Sequence, residues 1–446
     1  MTPEPTGTTA SPLPGTAPLA VGSAAIGGDE AGRPSLRRFA GWRILAIAVA
    51  TTILTGPGQT IGVSVFIDPM VNALGVTRST LSAAYLVGTL VGALVLPIFG
   101  RFVDRRGVRL AQMLVGAGFA LALVNMAGVR NTVWLVFGFA GIRMLGQGAL
   151  SLIPSVAVSL WFDRRRGVAL GILTTVGGAG MALVPLVLNT AIEATSWRVA
   201  WLLAAGVIAV TVIPLARFGL INRPADIGQF PDGIAPTGPS STTPDQAETE
   251  AGSYTRGEAI RTRQFWVLAA VGTASGMLIT GLNFHQIDLL GDAGLDAGLA
   301  AAMFLPQIIG SSVMAIGIGF VVDRIGLRFV PAFAMVLLVL VHVLAASVQP
   351  GLVVVLYAVS LGAAGGATMA AISTLLPSYF GTANIGSIQG VMTLTGVAGS
   401  AAGPVTLAVT EAQLGGYRTA NLVLMVIPIL ILLFALANRP LSPRSP

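Results

Sequence analysis

The chain has no cysteine and no lysine among its 446 residues, only two histidines, and few charges of either sign: 10% of the whole. Without cysteine there is no disulfide framework, no thiolate nucleophile and no cysteine metal site. No His, Asp and Glu cluster suits a metal, and no nucleophile–base set or phosphate-binding glycine loop is present, so neither an enzyme nor a cofactor is expected. The scarcity of charge is as informative. Soluble domains carry about 25% charged residues, whereas 54% of this chain is hydrophobic and its mean hydropathy is +0.83. So much apolar surface cannot be hidden from water, so lipid must be the solvent for most of it.

What charge there is has a pattern. The net charge is +7 and every basic residue apart from the two histidines is an arginine. The arginines sit in short loops between apolar segments, which is how membrane proteins fix their orientation; no nucleic-acid partner is expected. Arg78, Arg130, Arg198 and Arg418 fall on one side of the spans and Arg143 falls inside one. The other twenty arginines fall on the opposite side, which the positive-inside rule makes cytoplasmic. Both termini then lie in the cytoplasm and the span number is even, about twelve at ~20 residues each.

The division expected along the chain follows. Residues 1–41 form a disordered tail rich in Pro, Gly, Thr and Ala, with no signal-peptide core. Residues 42–218 hold six spans, 219–263 a cytoplasmic linker rich in Pro, Thr and Ser, 264–437 six more spans, and 438–446 a second tail. Within these, span one is expected over 42–66, span seven over 265–290 and span eight over 298–321.

Two stretches halve the chain. Gly100-Arg101-Phe102-Val103-Asp104-Arg105-Arg106-Gly107-Val108-Arg109 reads G-x-x-x-D-R-x-G-x-R, and the pattern returns from Gly319 through Asp323, Arg324 and Gly326 to Arg328. Phe162, Gly167 and Gly171 are echoed by Phe380, Gly386 and Gly390, and Trp197-Arg198 by Tyr417-Arg418. Three correspondences in one order indicate an internal duplication, with both halves sharing a fold.

This doubled loop resembles the loop between helices two and three, and its repeat between helices eight and nine, of the major facilitator superfamily. The resemblance covers nearly all of the chain from Trp42 to Asn438. It implies an all-α membrane protein of twelve transmembrane helices in two pseudo-twofold-related six-helix bundles. It also implies that Gly100, Asp104, Arg105, Gly107, Arg109, Gly319, Asp323, Arg324, Gly326 and Arg328 form a cytoplasmic gate. The bland alternative, a charged turn that fixes topology, holds at the same time. The run Trp161-Phe162-Asp163-Arg164-Arg165-Arg166-Gly167 and the stretch Arg223-Pro224 to Gly233 look like the monocarboxylate and oxalate/formate porters. Those porters carry basic residues in helices eight or eleven, and this chain has none there, so the likeness rests on loops.

The spans offer few polar candidates. Gly56-Pro57-Gly58 should break span one and turn Gln59 and Thr60 towards a cavity; a mere packing kink is the alternative. Arg143, with Gln147, resembles the family's R-x-x-x-Q-G element. An arginine at mid-membrane costs about 2.5–3.5 kcal/mol and faces the bundle interior. It is expected near the kink, either as a substrate or coupling residue or bonded to backbone that the kink frees. Asn283, His285, Gln307 and Tyr357 complete the candidates. His285 is weighed as a proton carrier against an ordinary interfacial histidine, and His342 is read as structural. The expected function is secondary transport of a small organic anion by alternating access, in a monomer in the cytoplasmic membrane of a bacterium, with proton coupling left open. Export of amphiphilic drugs or natural products, and a transporter-like sensor without net transport, are the alternatives.

Overall fold

In lipid every backbone polar group must find a partner within the chain, and a helix does this locally. The computed structural model describes residues 39–234, 253–326, 329–381 and 384–437, which contain helices and no strand. The tails at 1–38 and 438–446, most of the central linker and Arg328 lie outside the described residues, as do the side chains of Asp104 and Asp323.

Among the described residues, eleven helices are long and apolar enough to cross a membrane. In the first half they are α1 Gly41–Ser64, α2 Arg78–Val103, α3 Arg105–Ala127, α4 Thr132–Trp161, α5 Arg166–Ala194 and α6 Trp197–Gly219. In the second they are α7 Arg263–Phe284, α8 Ala297–Ala315, α10 Leu352–Phe380, α11 Ile385–Leu414 and α12 Tyr417–Leu436, with the shorter apolar helix α9, Val330–Ala346, completing the six.

The two halves repeat in detail. Gly107 and Gly326, the last glycines of the doubled loop, both sit at φ +79°. Phe162 follows the last residue of α4, Phe380 is the last residue of α10, and both are fully buried. Phe162 meets the edges of Phe39 and Trp42 around the start of α1. Phe380 meets Tyr254 and Phe265 around the start of α7. Contacts of this kind are worth about 0.5–1.5 kcal/mol beyond burial; here they tie the first helix of each bundle to the fourth.

Span one breaks where expected, and spans seven and eight differ from expectation. Span one is broken into Gly41–Leu54, a 3-10 turn Gly56–Gly58 and Thr60–Ser64, with Gln59 extended between the last two. Span seven stops at Phe284 rather than residue 290, and a separate short helix, Gln286–Asp292, follows. The reason is polar: His285 turns its ring to the Pro404 carbonyl of α11 and Gln286 donates to the Ala300 carbonyl, contacts that a continued helix would not aim. Span eight is interrupted at Met303 and runs on to Ile325.

The halves meet through α1 with α7, α2 with α11, and α5 with α8. Several named contacts between them lie towards the face opposite the doubled loops. There Tyr85 packs on Phe284 at 4.6 Å, and Arg78 pairs with Asp288. Towards the arginine-rich face a Cβ added to Gly167 or Gly171 of α5, or to Gly386 or Gly390 of α11, would meet nothing within 4 Å.

Candidate functional site

Arg143 lies eleven residues into the thirty of α4, about 17 Å along it at 1.5 Å per residue, near mid-depth. It opens a stretch of π-helix, Arg143–Leu150, a local widening that recurs at functional sites. Beside it runs the broken part of α1. The two backbones come so close that a Cβ on Gly58 would lie 2.8 Å from the Ile142 carbonyl oxygen, and one on Gly146 would lie 3.1 Å from the Gly58 Cα.

The side chain of Arg143 is 4% exposed. Its Nε donates to Thr89 Oγ1 at 3.1 Å, and its Nη1 donates to the Gly58 carbonyl at 3.3 Å and to Thr60 Oγ1 at 3.4 Å. The guanidinium lies 4.7 Å from the centre of the Tyr85 ring. Tyr85 and Thr89 are four residues apart and so share one face of α2; Tyr85 OH in turn bonds Thr60 Oγ1 at 2.8 Å. Gln59 donates to Thr55 and to Ser151, each at 3.1 Å. Every partner of the arginine is neutral, and among the described residues no carboxylate pairs with it. A cation over an aromatic face gains about 2 kcal/mol when desolvated, which stabilises the charge without cancelling it.

Among the sequence candidates, Arg143 and Thr60 are in direct contact, while Gln59 bonds Thr55 and Ser151, and Ser151 in turn donates to the Gly146 carbonyl. Gln147 sits one turn on from Arg143, with its Oε1 buried and unpartnered. The others lie apart from this network. Asn283 Oδ1 and Tyr357 OH are buried without partners, and Gln307 donates to Gln286. His285 is 1% exposed, its Nε2 bonded to the Pro404 carbonyl at 2.9 Å, and burial pushes its pKa down to about 4. His342 is buried too, with Nδ1 against the Leu338 carbonyl of its own turn. Sequence reasoning missed Tyr85, Thr89 and Ser151; only the i, i+4 spacing of Tyr85 and Thr89 could have hinted at them.

A cavity of about 390 Å³ lies in the second half, among α7, α10 and α11. Ser275, Thr280, Thr368, Gln389 and Thr393 give it neutral polar groups, while Ile279, Met369 and Met392 make much of it apolar; no charged side chain lines it.

The doubled loop is engaged within its own half. Arg109 N–H donates to Asn222 Oδ1 at 3.0 Å and its Nη2 donates to the Arg217 carbonyl of α6, while Arg105 and Arg324 are exposed. Gly107 adopts φ 79°, ψ 161°, a region essentially reserved for glycine and costing other residues about 1–3 kcal/mol. A Cβ there would also lie 2.6 Å from Asn222, whereas one on Gly326 meets nothing within 4 Å. Gly107→Ala should therefore lower the melting temperature in detergent more than Gly326→Ala does; equal losses would mean that the Asn222 contact yields freely.

Among the described residues, eleven membrane-crossing helices and one shorter apolar helix, in two like halves around a polar site at mid-depth, define a multi-pass membrane protein. The chain belongs to the Major Facilitator Superfamily, whose family model matches residues 45–404. It is 27% identical over 164 residues to the uncharacterized MFS-type transporter YcxA of Bacillus subtilis (strain 168), covering 36% of this chain and 39% of that one. It is 24% identical over 294 residues, 64% of each chain, to the oxalate:formate antiporter of Oxalobacter formigenes. With monocarboxylate transporter 9 of Rattus norvegicus it shares 26% over 198 residues, 44% of this chain and 38% of that one. In each case less than two thirds of the relative's length is matched. The fold matches the nucleoside transporter NupG with a TM-score of 0.70 at 13% identity, covering 89% of this chain and 98% of that one. It matches a bacterial homologue of the lysosomal transporter Spinster with a TM-score of 0.68 at 15% identity, covering 90% and 96%.

Proposed function

We propose that the protein carries a small organic anion of the monocarboxylate kind across a bacterial cytoplasmic membrane by alternating access. The observation that carries this reading is Arg143: a buried cation at mid-depth whose described partners are all neutral. An anion supplies the missing charge while bound and removes it on release, so occupancy changes the energy of the site. The planar fork of arginine suits a carboxylate in particular. The resemblance to an oxalate:formate antiporter and a monocarboxylate transporter supports the class without naming the substrate.

In this reading the arginine-rich face is cytoplasmic, by the arginine asymmetry, and the contacts of Tyr85 with Phe284 and of Arg78 with Asp288 hold the opposite face shut. The two loops around Asp104 and Asp323 latch that face when the other opens. A second reading keeps some support from the cavity: its mixture of methionine, isoleucine and hydroxyl groups without charge also suits an amphiphilic compound that is exported.

The test is binding in detergent of small carboxylates and of their methyl esters, which keep the shape and lose the charge. The protein is expected to bind acids such as formate, oxalate or a short-chain monocarboxylate and to ignore the esters. Equal binding of acid and ester would remove the anion reading and move the exporter reading ahead.

A further inference from the structure

On the face opposite the doubled loops, one arginine serves two carboxylates. Arg78, at the start of α2, reaches Asp68 with Nη1 and Asp288 with Nη2, each at 2.5 Å. Asp68 belongs to the short helix Ile67–Leu74 of the first half. Asp288 belongs to the short helix after α7, in the second half, and its other oxygen meets the hydroxyl of Tyr417 at the start of α12. Among the described residues, Arg78–Asp288 is the ion pair that joins the two halves. The set holds one positive and two negative charges, and Asp288 keeps only 18% of its side-chain surface.

We infer that this junction is a proton-binding site: when the face closes, Asp288 takes up one proton and shares it with Tyr417. The geometry suits the neutral acid without rearrangement. Oδ1 still accepts from Arg78, Oδ2–H donates to the Tyr417 oxygen in place of accepting from it, and a hydroxyl can serve in either sense. Arg78 is then balanced by Asp68 alone, so closing the face no longer buries an excess negative charge.

The surrounding groups point the same way. Burial, first, and the nearby carboxylates Asp68 and Asp292 push Asp288 upward; Tyr417 and Arg78 pull it down, and the balance stands at about 6. His285, at the head of the same short helix, is held neutral by burial and by Arg78. Asp296 at the start of α8 is exposed and is occupied as a helix cap. Glu411 near the end of α11 is half-buried, and Arg418 beside Tyr417 is exposed.

The sign of the linkage is fixed. In the open face Asp288 meets water and returns towards the ordinary carboxylate value of about 4. The closed face therefore binds the proton more tightly, and acid favours closure. Lowering the pH from 8 to 5 should raise the ratio of closed to open faces about tenfold. This rests on the alternating-access reading but not on the anion.

The test uses the cysteine-free chain as its own background. Cysteines placed at Ala73 and Gln349, exposed residues of the two halves on this face, carry spin labels for distance measurements in proteoliposomes between pH 8 and pH 5. The expected result is a short and a long distance, with the short one gaining about tenfold as the pH falls. Asp288→Asn, which mimics the protonated acid, should hold the short distance at every pH. Two distances whose ratio ignores pH, or an Asp288→Asn variant that keeps the wild-type pH response, would overturn the proton site while leaving alternating access intact. A single distance at every pH, in the parent and in Arg78→Gln alike, would remove alternating access and the proton site together.

Discussion

Arg143→Gln should abolish transport of a carboxylate while leaving the fold in place. Glutamine keeps hydrogen-bonding capacity towards Thr89 and Thr60 but removes the charge that an anion would answer. A hydrogen bond to a charged group contributes about 1.5–3 kcal/mol, so binding should weaken by about 10- to 100-fold. Arg143→Lys retains the charge and loses the fork. It also loses the Nε bond to Thr89 that holds the guanidinium at its present angle over Tyr85. It should bind better than Arg143→Gln and worse than the parent. Calorimetry on the three proteins in detergent, with melting curves to confirm folding, reads the order directly. If Arg143→Gln binds the carboxylate as tightly as the parent, the arginine is a structural tie to the Gly58 carbonyl and no more.

The largest effect on folding is expected at the crossing of α1 and α4. Gly58 and Gly146 face each other so closely that a Cβ on Gly146 would come within 3.1 Å of the Gly58 Cα as well as striking Phe119. Phe119 is fully buried and cannot swing away. Extra carbon in a packed core costs about 1–3 kcal/mol, and more where backbone meets backbone. Gly146→Val should therefore leave little monodisperse protein in size-exclusion chromatography, and what survives should lack carboxylate binding because Arg143 has been displaced. Gly171→Ala is the control. A Cβ there would meet nothing within 4 Å, the position lies inside a helix, and alanine favours helix by about 1 kcal/mol over glycine. Its melting temperature should be unchanged or higher. A Gly146→Val protein that melts with the parent would show that the two helices can part at no cost.

What could be read from the sequence follows the range of the interactions. Composition and the doubled loop announce the spans and the two halves because lipid acts on every residue and a duplication leaves its copy in the text. Gly56-Pro57-Gly58 announces the break in α1 because the chemistry of proline and glycine is local. The neighbourhood of Arg143 was reachable by elimination, since no acidic residue lies in any nearby span. Tyr85 and Thr89 were not reachable. They are ordinary polar residues on a helix, and their role depends on which helix packs opposite. Asp288 was hidden for another reason: carrying span seven to residue 290 left it looking like one more polar residue at a helix end. The break after Phe284 depends on Pro404, 119 positions away, and that pairing leaves no local sign. His285 drew attention by its ordinary titration range, which burial removes.

The most direct measurement is uptake of a labelled carboxylate into proteoliposomes holding the purified protein, with and without the same carboxylate loaded inside. Saturable uptake that preloading accelerates, and that is lost in Arg143→Gln, is the result expected of an alternating-access carrier of anions. The contradicting result is equally plain: no uptake of any carboxylate by folded parent protein, while a lipophilic cation is moved and Arg143→Gln moves it just as fast.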